Sequence, residues 1–228
     1  MPSQIKSNIQ NPWRHLPKHP PYALASDLEL LESFNAQASH LHRYDLSLLP
    51  EPFFGSDNAA VVVLNLNPGW SEEDALVHAD PAFIALARKS IEHKLKPHPF
   101  LHLQPGSQTP GAQWWRRRTQ ELVNDIGQDQ VVNHLACIEL TPYHSRQYSA
   151  RTPLLPSQEY SFHLVRKSME RGAEIVIMRS VKLWFAAVPE LANYRKLHLA
   201  SNPRAPFISR GNLKSSYDVI MRKLRNAK

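Results

Sequence analysis

The run Val61-Val62-Val63-Leu64 constrains the fold more than any other feature of this sequence. It is continuously apolar rather than alternating, and most of its residues are β-branched. Such a strand fits a parallel sheet covered by helices on both faces, because side chains on both faces are then buried. We therefore expect an α/β fold built around this strand.

Three further apolar segments resemble the first, and helical patterns separate them. Strands that alternate with helices predict a parallel sheet with right-handed crossovers. We expect these segments to form one parallel sheet that is covered by helices on both faces. The predicted strands are 60–66, 135–141, 173–179 and 195–200, and the predicted helices are 26–34, 80–94, 112–126, 157–171 and 212–225.

The distribution of proline predicts two regions. Residues 1–25 are polar and proline-rich, which indicates an extended arm that Trp13 and Tyr22 anchor to the domain. Residues 26–228 carry the alternating strands and helices without a visible boundary, and we expect them to form a single α/β domain.

Composition narrows the classes of partner. Lys and Arg outnumber Asp and Glu by 27 to 20, and the pI is near 9.6, which suits a nucleic-acid partner such as single- or double-stranded DNA. No apolar run approaches the ~20 residues that span a bilayer, and the N-terminus lacks the apolar stretch of a signal peptide. The one cysteine, Cys137, lies in an apolar run and reads as a reduced core thiol. We expect a cytoplasmic monomer without a membrane partner.

Sequence motifs for cofactors and metals are missing. The chain has no phosphate-binding glycine loop, no G-x-S-x-G, no Cys/His metal spacing and no H-E-x-x-H. We therefore expect neither a cofactor nor a metal.

Ligands of parallel sheets bind beyond the carboxyl ends of the strands, so the loops at those ends are informative. The first strand leads into Asn65-Leu66-Asn67-Pro68-Gly69-Trp70. Pro68 imposes an extended or turn conformation on Asn67, and Gly69 permits close approach of a ligand. An ordinary strand-to-helix turn explains the same residues. Ser71 is positioned to cap the following helix.

The second and fourth strands also end in polar loops. Glu139 needs a partner if it is buried, so a structural ion pair and a functional role are both open. Tyr143 and His144 either contact a ligand or cover the sheet edge. The loop 201–212 holds two prolines and two arginines, which indicates a phosphate or DNA clamp, with solvated arginines as the competing explanation.

A basic and aromatic cluster, Trp114-Trp115-Arg116-Arg117-Arg118, lies on one predicted helix. Its arginines point in different helical directions, so at most two share a face. We interpret Trp115 as a core residue and the arginines as a solvated face.

Taken in chain order, the strand-end loops resemble those of the uracil-DNA glycosylase superfamily. Leu66-Asn67-Pro68-Gly69 matches the G-[IM]-N-P-G first motif of the mismatch-specific and single-strand-selective branches. Asn202-Pro203-Arg204-Ala205-Pro206 is similar to the closing H-P-S-P-R-N-P motif of the single-strand-selective branch. The resemblance covers roughly residues 50–228 in order and spacing.

This resemblance implies a three-layer αβα sandwich with a central four-stranded parallel sheet. It also implies a flipped base in a pocket at the strand ends and hydrolysis of its N-glycosidic bond. It implies that Asn67 holds the attacking water. The expected substrate-binding residues are Leu66, Gly69, Trp70, Glu139, Tyr143 and Asn202, and the expected DNA-binding residues are Arg204, Ser209 and Arg210.

Three positions depart from the family pattern. Asn65 replaces the leading glycine, the closing histidine aligns with Ala200 or Ser201, and Glu139 replaces the asparagine that reads uracil. A carboxylate only accepts hydrogen bonds, so Glu139 suits adjacent donors such as guanine N1–H and N2–H₂ better than uracil. We therefore expect a DNA glycosylase-like enzyme for a damaged or modified base rather than plain uracil.

Two other functions remain open. The same fold without hydrolysis would serve as a nucleobase- or nucleic-acid-binding module, which the missing closing histidine favours. A small-molecule hydrolase with Glu139 or His144 as its base has no support beyond the sheet itself.

Overall fold

The structure is a computed structural model that describes residues 9–228. It is an α/β fold around a five-stranded mixed sheet with strand order β1-β3-β2-β4-β5. Strands β3, β2, β4 and β5 run parallel, and β1 pairs antiparallel with β3 at the edge. The strands are β1 (Phe53–Gly55), β2 (Val61–Leu64), β3 (Leu135–Ile138), β4 (Glu174–Ile177) and β5 (Leu197–Leu199).

The edge strand β1 corrects the prediction of a purely parallel, four-stranded sheet. Its two aromatic residues favour a strand, but they are only two residues between Pro52 and Gly55, which indicate a loop from sequence. Gly55 has φ +99°, and a Cβ there would lie 2.5 Å from the carbonyl oxygen of Leu135. Only glycine therefore fits where β1 crosses β3.

The four predicted parallel strands are present, each shorter than expected. Strand β2 is central, and its side chains are at most 2% exposed, as the continuous apolar run requires. Leu64 aligns with Ile138 on one side and with Ile177 on the other. The residues that follow these three strands therefore emerge at one edge of the sheet.

Nine α-helices surround or extend the sheet in the described part of the chain. Helices α5 and α7 were not predicted, α2 was predicted only through its cap at Ser71 and without bounds, and the predicted last helix is interrupted at Lys214, which has φ +53°. The helices are α1 (Ala25–Gln37), α2 (Glu72–Ala79), α3 (Pro81–Ile91), α4 (Pro110–Ile126), α5 (Gln128–His134), α6 (Gln158–Glu170), α7 (Val181–Ala187), α8 (Arg210–Leu213) and α9 (Ser216–Arg225).

Capping residues set several helix starts. Ser71 forms a capping box with Asp74 at α2, as its position predicted. Asp80 caps α3 through its side chain, with Pro81 in the first position. Because α2 begins directly after the loop that follows β2, the Ser71 cap also fixes the end of that loop.

The proline-rich segment packs into the core where the structure describes it. Trp13 is 1% exposed and contacts Tyr143 edge-on, with 6.1 Å between ring centroids, and Tyr22 is also buried. Residues 1–8 of the predicted arm lie outside the described residues. Within residues 9–228, no helix has the length and apolar character needed to cross a membrane.

Candidate active site

A cavity of ≈ 580 Å³ lies at the carboxyl ends of the parallel strands, and we call it the strand-end cavity. Asn65 follows β2, Glu139 follows β3 and Arg179 follows β4 by two residues, and all three line it. Its volume falls in the ~300–1,000 Å³ range of small-molecule sites. The loop after β2, the loop after β3 and the start of α4 form its walls.

Asn67 is half-buried in the cavity wall and is held by two hydrogen bonds. Its Nδ2 donates to the carbonyl oxygen of Pro68 at 2.9 Å and to Ser145 Oγ at 3.0 Å. Its Oδ1 accepts no hydrogen bond from the described residues. The side chain therefore offers a fixed acceptor at the position that the sequence singled out.

Asn65 and Glu139 form a buried polar pair in the same cavity. Asn65 Nδ2 donates to Glu139 Oε1 at 3.3 Å, and the Cys137 thiol lies 3.6 Å from the same oxygen. Glu139 Oε2 and Asn65 Oδ1 are buried without a partner among the described residues. The pair thus keeps two unused polar atoms beside the cavity.

Burial raises the pKa of Glu139 to about 8. The Asn65 hydrogen bond and the charge of Arg179 lower this pKa only in part, while the charge of Glu51 raises it. Glu139 is therefore a neutral acid at neutral pH. Because Oε1 already accepts from Asn65, the proton belongs on Oε2, which becomes a donor. This finding removes the premise that Glu139 acts only as an acceptor.

A carboxylate and histidines fill another part of the cavity wall. Glu51 Oε2 lies 2.9 Å from His102 Nε2, and Glu51 Oε1 lies 3.8 Å from His78 Nε2. Burial alone would raise the pKa of Glu51, but the neighbouring histidines, His102 first, bring it down to about 2. Burial and the charge of His144 lower the pKa of His78 to about 3, against the opposing charge of Glu51.

Glu51, His78 and His144 each place a possible metal-ligand atom within 4.8 Å of the others. The hydrogen bonds do not fit a metal ion. The Leu49 N–H donates to His78 Nδ1 at 2.9 Å, so the proton of neutral His78 is on Nε2, the atom that faces Glu51. A ligating nitrogen needs a free lone pair, which this Nε2 lacks.

His144 joins two loops under the cavity. Its Nδ1 lies 2.6 Å from the Gly69 carbonyl oxygen, and its Nε2 lies 3.1 Å from the Leu49 carbonyl oxygen. A ring nitrogen that carries a proton donates to the carbonyl oxygen it faces. His144 therefore holds the loop of Asn67 and Gly69 against the segment before β1.

Trp70 and Arg146 form part of the cavity rim. Trp70 Nε1 donates to Asp45 Oδ2 at 2.6 Å, which fixes the indole. The Arg146 guanidinium lies 3.9 Å from the Trp70 ring centroid, in cation–π geometry. The rim therefore presents a stacked aromatic and cationic surface to an entering ligand.

The structure brings only part of the predicted site together. Leu66, Asn67, Gly69, Trp70 and Glu139 line the strand-end cavity. Tyr143, Asn202, Arg204, Ser209 and Arg210 do not.

Tyr143 is fully buried, and its hydroxyl donates to Asp27 Oδ2 at 2.8 Å, so it has a structural place in the core. Ser209 caps α8 through its side chain. Arg210 pairs with Glu121 and Asp125, each at 2.7 Å. Tyr143 is therefore part of the core, and Arg210, whose side chain is half-exposed, is ion-paired in this structure.

Asn202 and Arg204, the other predicted site residues of the closing loop, are exposed. Asn202 Oδ1 accepts from the backbone N–H of Arg204 at 3.1 Å, which stabilises a turn. Arg204 makes no side-chain hydrogen bond to the described residues. This loop therefore lies outside the cavity wall in the present conformation.

Sequence reasoning missed Glu51, His78, His102 and Arg179 as cavity residues. Glu51 lies in a proline-rich connection, His78 lies on a helix of which only the cap was predicted, and Arg179 was read as part of a turn. The position of Arg179 at a strand end was the one signal available. The convergence of the other three depends on how distant segments pack.

Comparison with protein-family models finds no match for this chain, and comparison with curated proteins finds no significant similarity.

Proposed function

We propose that this protein is a DNA glycosylase-like hydrolase that cleaves the N-glycosidic bond of a damaged or modified base in DNA. We propose also that the sheet and helices form the three-layer sandwich of the uracil-DNA glycosylase superfamily. One observation carries the proposal: Asn67 and the Asn65–Glu139 pair line one cavity of suitable size for a planar base.

Hydrolysis requires a water molecule to attack the C1′ carbon of the sugar. The C1′–N bond breaks, its electron pair leaves with the base, and the water proton is released. Asn67 Oδ1 suits the orientation of this water, because its amide nitrogen is already bound to Ser145 and Pro68. A fixed acceptor of this kind loses little entropy when the water binds.

The Asn65–Glu139 pair suits the recognition of a base edge. Protonated Glu139 offers a donor at Oε2, and Asn65 offers an acceptor at Oδ1. One donor beside one acceptor complements a lactam edge, C=O next to N–H, as in hypoxanthine, xanthine and uracil. Discrimination against plain uracil by a carboxylate is therefore proposed only above a pH of about 8, where Glu139 ionises.

A binding module without hydrolysis is the second candidate function. The closing histidine is replaced by Ala200 or Ser201, and Ser201 Oγ donates to the Asn212 carbonyl oxygen at 2.8 Å. His198, the nearest histidine, places its Nε2 2.8 Å from Glu174 Oε2. These contacts favour a site that lacks the usual donor to the departing base.

A strand-cleavage assay distinguishes the two candidates. The substrates are oligonucleotides that carry uracil, hypoxanthine, xanthine or an alkylated base. We expect base release from at least one, and a loss of about 10²–10³-fold in rate for Asn67→Ala. Asn58→Ala is the matched control, because Asn58 is exposed on a turn away from the cavity.

Two results would change the conclusion. Salt-dependent DNA binding by the wild type without any product would favour the binding module. The absence of DNA affinity at low ionic strength would exclude both candidates.

A further inference from the structure

We infer that Arg118 and Arg179 form a binding site for a phosphate group at the edge of the strand-end cavity. The phosphate is that of the nucleotide whose base enters the cavity. This inference rests on the proposed function for the identity of the base. The phosphate site itself requires no bond cleavage.

Arg118 is held by aromatic rings from two segments. Its guanidinium carbon lies 4.4 Å from the Trp114 ring centroid and 4.6 Å from the Phe207 ring centroid. Trp114 lines the strand-end cavity, and Phe207 belongs to the loop after β5. Stacking on ring faces leaves the N–H groups of a planar guanidinium directed outward in its own plane.

Neither guanidinium has a protein acceptor among residues 9–228. Arg118 and Arg179 make no ion pair and donate no side-chain hydrogen bond there, and the Nε atom of each is buried without a partner. Other arginines show the usual arrangement: Arg146, Arg166 and Arg210 all pair with carboxylates. Buried donors without acceptors are rare in folded proteins, so these two indicate an acceptor supplied by a ligand.

The charges that shift the pKa of Arg118 come from two other arginines. Burial lowers the pKa of Arg118, and the charges of Arg179 and then Arg117 lower it further, with no opposing carboxylate. Arg179 also acts on Glu139, but Glu139 is neutral at neutral pH and supplies no counter-ion. Like charges gathered without a counter-ion favour an anion between them.

A phosphate fits this pair better than a single carboxylate would. It has several acceptor oxygens that can receive hydrogen bonds from two guanidinium groups at once, and arginine recognises phosphate in bidentate geometry. Arg179 is itself part of the cavity wall, so a phosphate bound to it lies next to any base in the cavity. The attached nucleoside therefore shares the site.

The test compares binding by calorimetry of deoxyuridine, deoxyuridine 5′-monophosphate, inorganic phosphate and a short single-stranded oligonucleotide. The variants are Arg118→Gln and Arg179→Gln in the full chain. Arg222→Gln is the control, because Arg222 is exposed on α9 and its replacement changes the net charge equally. Thermal unfolding of each variant establishes that it is folded.

We expect the ligands that carry phosphate to bind more tightly than the nucleoside. Arg118→Gln and Arg179→Gln each weaken the binding of these ligands by about 10- to 100-fold, the range for a charge-assisted hydrogen bond. Each also reduces the salt dependence of oligonucleotide binding by about 0.7 in log–log slope. Tighter binding of the oligonucleotide than of the monophosphate assigns the site to a nucleic-acid backbone, and the reverse assigns it to a free nucleotide.

The inference is overturned if wild type binds nucleoside and nucleotide equally. It is also overturned if Arg118→Gln and Arg179→Gln bind these ligands with the same affinity as Arg222→Gln. Absence of binding of any phosphate-bearing ligand at low salt overturns it as well. Phosphate-dependent binding that Arg179→Gln abolishes, without base release from any substrate, would support the phosphate site while the proposed hydrolysis fails. Base release that neither variant affects would support the proposed hydrolysis and count against the phosphate site.

Discussion

Asn67 Nδ2 donates a hydrogen bond to Ser145 Oγ at 3.0 Å, and this contact joins the loop after β2 to the loop after β3. The two residues are 78 positions apart in sequence. The bond fixes the amide so that Oδ1 is the remaining acceptor. The orientation of the proposed catalytic residue thus depends on a serine that the sequence did not single out.

We predict that Ser145→Ala lowers the rate of base release by about 10-fold with little change in KM, because Asn67 loses its anchor while the base pocket is kept. The lost hydrogen bond should also reduce the free energy of unfolding by about 1 kcal/mol. Single-turnover kinetics and urea unfolding measure the two effects. Ser33→Ala, at an exposed position of α1, serves as the control, and an unchanged rate for Ser145→Ala would contradict the positioning role.

We predict that Glu139→Gln removes a pH dependence of stability. The folded-state pKa of Glu139 is raised from 4.5 to about 8, so the folded state binds the proton more tightly than the unfolded chain. The stabilisation is complete below pH 4.5 and is lost as pH rises toward 8, at about 1.4 kcal/mol per pH unit. Urea unfolding across this window should show a falling free energy of unfolding for wild type.

Glutamine is neutral at every pH, so the variant should show a flatter profile and greater stability than wild type at pH 8. Glu139→Gln should also continue to release the base above pH 8, where Glu139 of the wild type ionises and can no longer donate a hydrogen bond. Identical pH profiles for the two proteins would show that folding leaves the pKa of Glu139 unshifted, and would contradict a neutral Glu139 at neutral pH.

We predict that His78→Asn makes the protein less sensitive to acid. The folded-state pKa of His78 is lowered from 6.5 to about 3, because burial opposes its charge. The neutral ring therefore contributes stability above pH 6.5 that is lost as pH falls toward 3. Asparagine retains an acceptor for the Leu49 N–H but does not titrate.

The measurement is the free energy of unfolding between these two pH values. Wild type should lose up to about 1.4 kcal/mol per pH unit more than His78→Asn. His19→Asn is the control, because His19 is exposed. Equal acid sensitivity of wild type and His78→Asn would count against a buried neutral ring.

We predict that Tyr143→Phe destabilises the protein by about 1–3 kcal/mol and leaves ligand affinity unchanged. The hydroxyl donates to the fully buried Asp27 and accepts from the Leu24 N–H at 3.3 Å, so its removal leaves buried polar groups unpaired. Urea unfolding and calorimetry with the oligonucleotide separate the two effects. A large loss of affinity in a stably folded variant would restore the substrate-contact role predicted from sequence.

The secondary structure near strong local signals was predictable. The β2 run, the cap at Asp80 with Pro81 and the end of α4 at Gly127 depend on residues close in sequence. The strand β1 was missed because a strand of three residues shows too little hydrophobic periodicity to be recognised, and because Pro52 and Gly55 indicate a loop. Its pairing with β3 depends on a contact across more than eighty residues of chain.

The candidate site was predictable only in part. The rule that ligands bind at strand ends led to Asn67 and Glu139, and both line the cavity. The same rule led to Arg210, whose charge is taken by two carboxylates of α4. The rule gave no reason to single out Arg118. Its contacts with Trp114 and Phe207, on which its proposed role depends, are visible only in the tertiary structure.

The sequence by itself determined an α/β fold with a buried central strand and a polar loop, Asn65 to Trp70, after that strand. These properties follow from hydrophobic periodicity and turn chemistry, which act over a few neighbouring residues. Only the tertiary structure decided that Glu139 is neutral, that Arg210 is paired and that Arg118 and Arg179 lack acceptors. Protonation and pairing depend on burial and on distances between atoms of remote segments, and no local pattern encodes those distances.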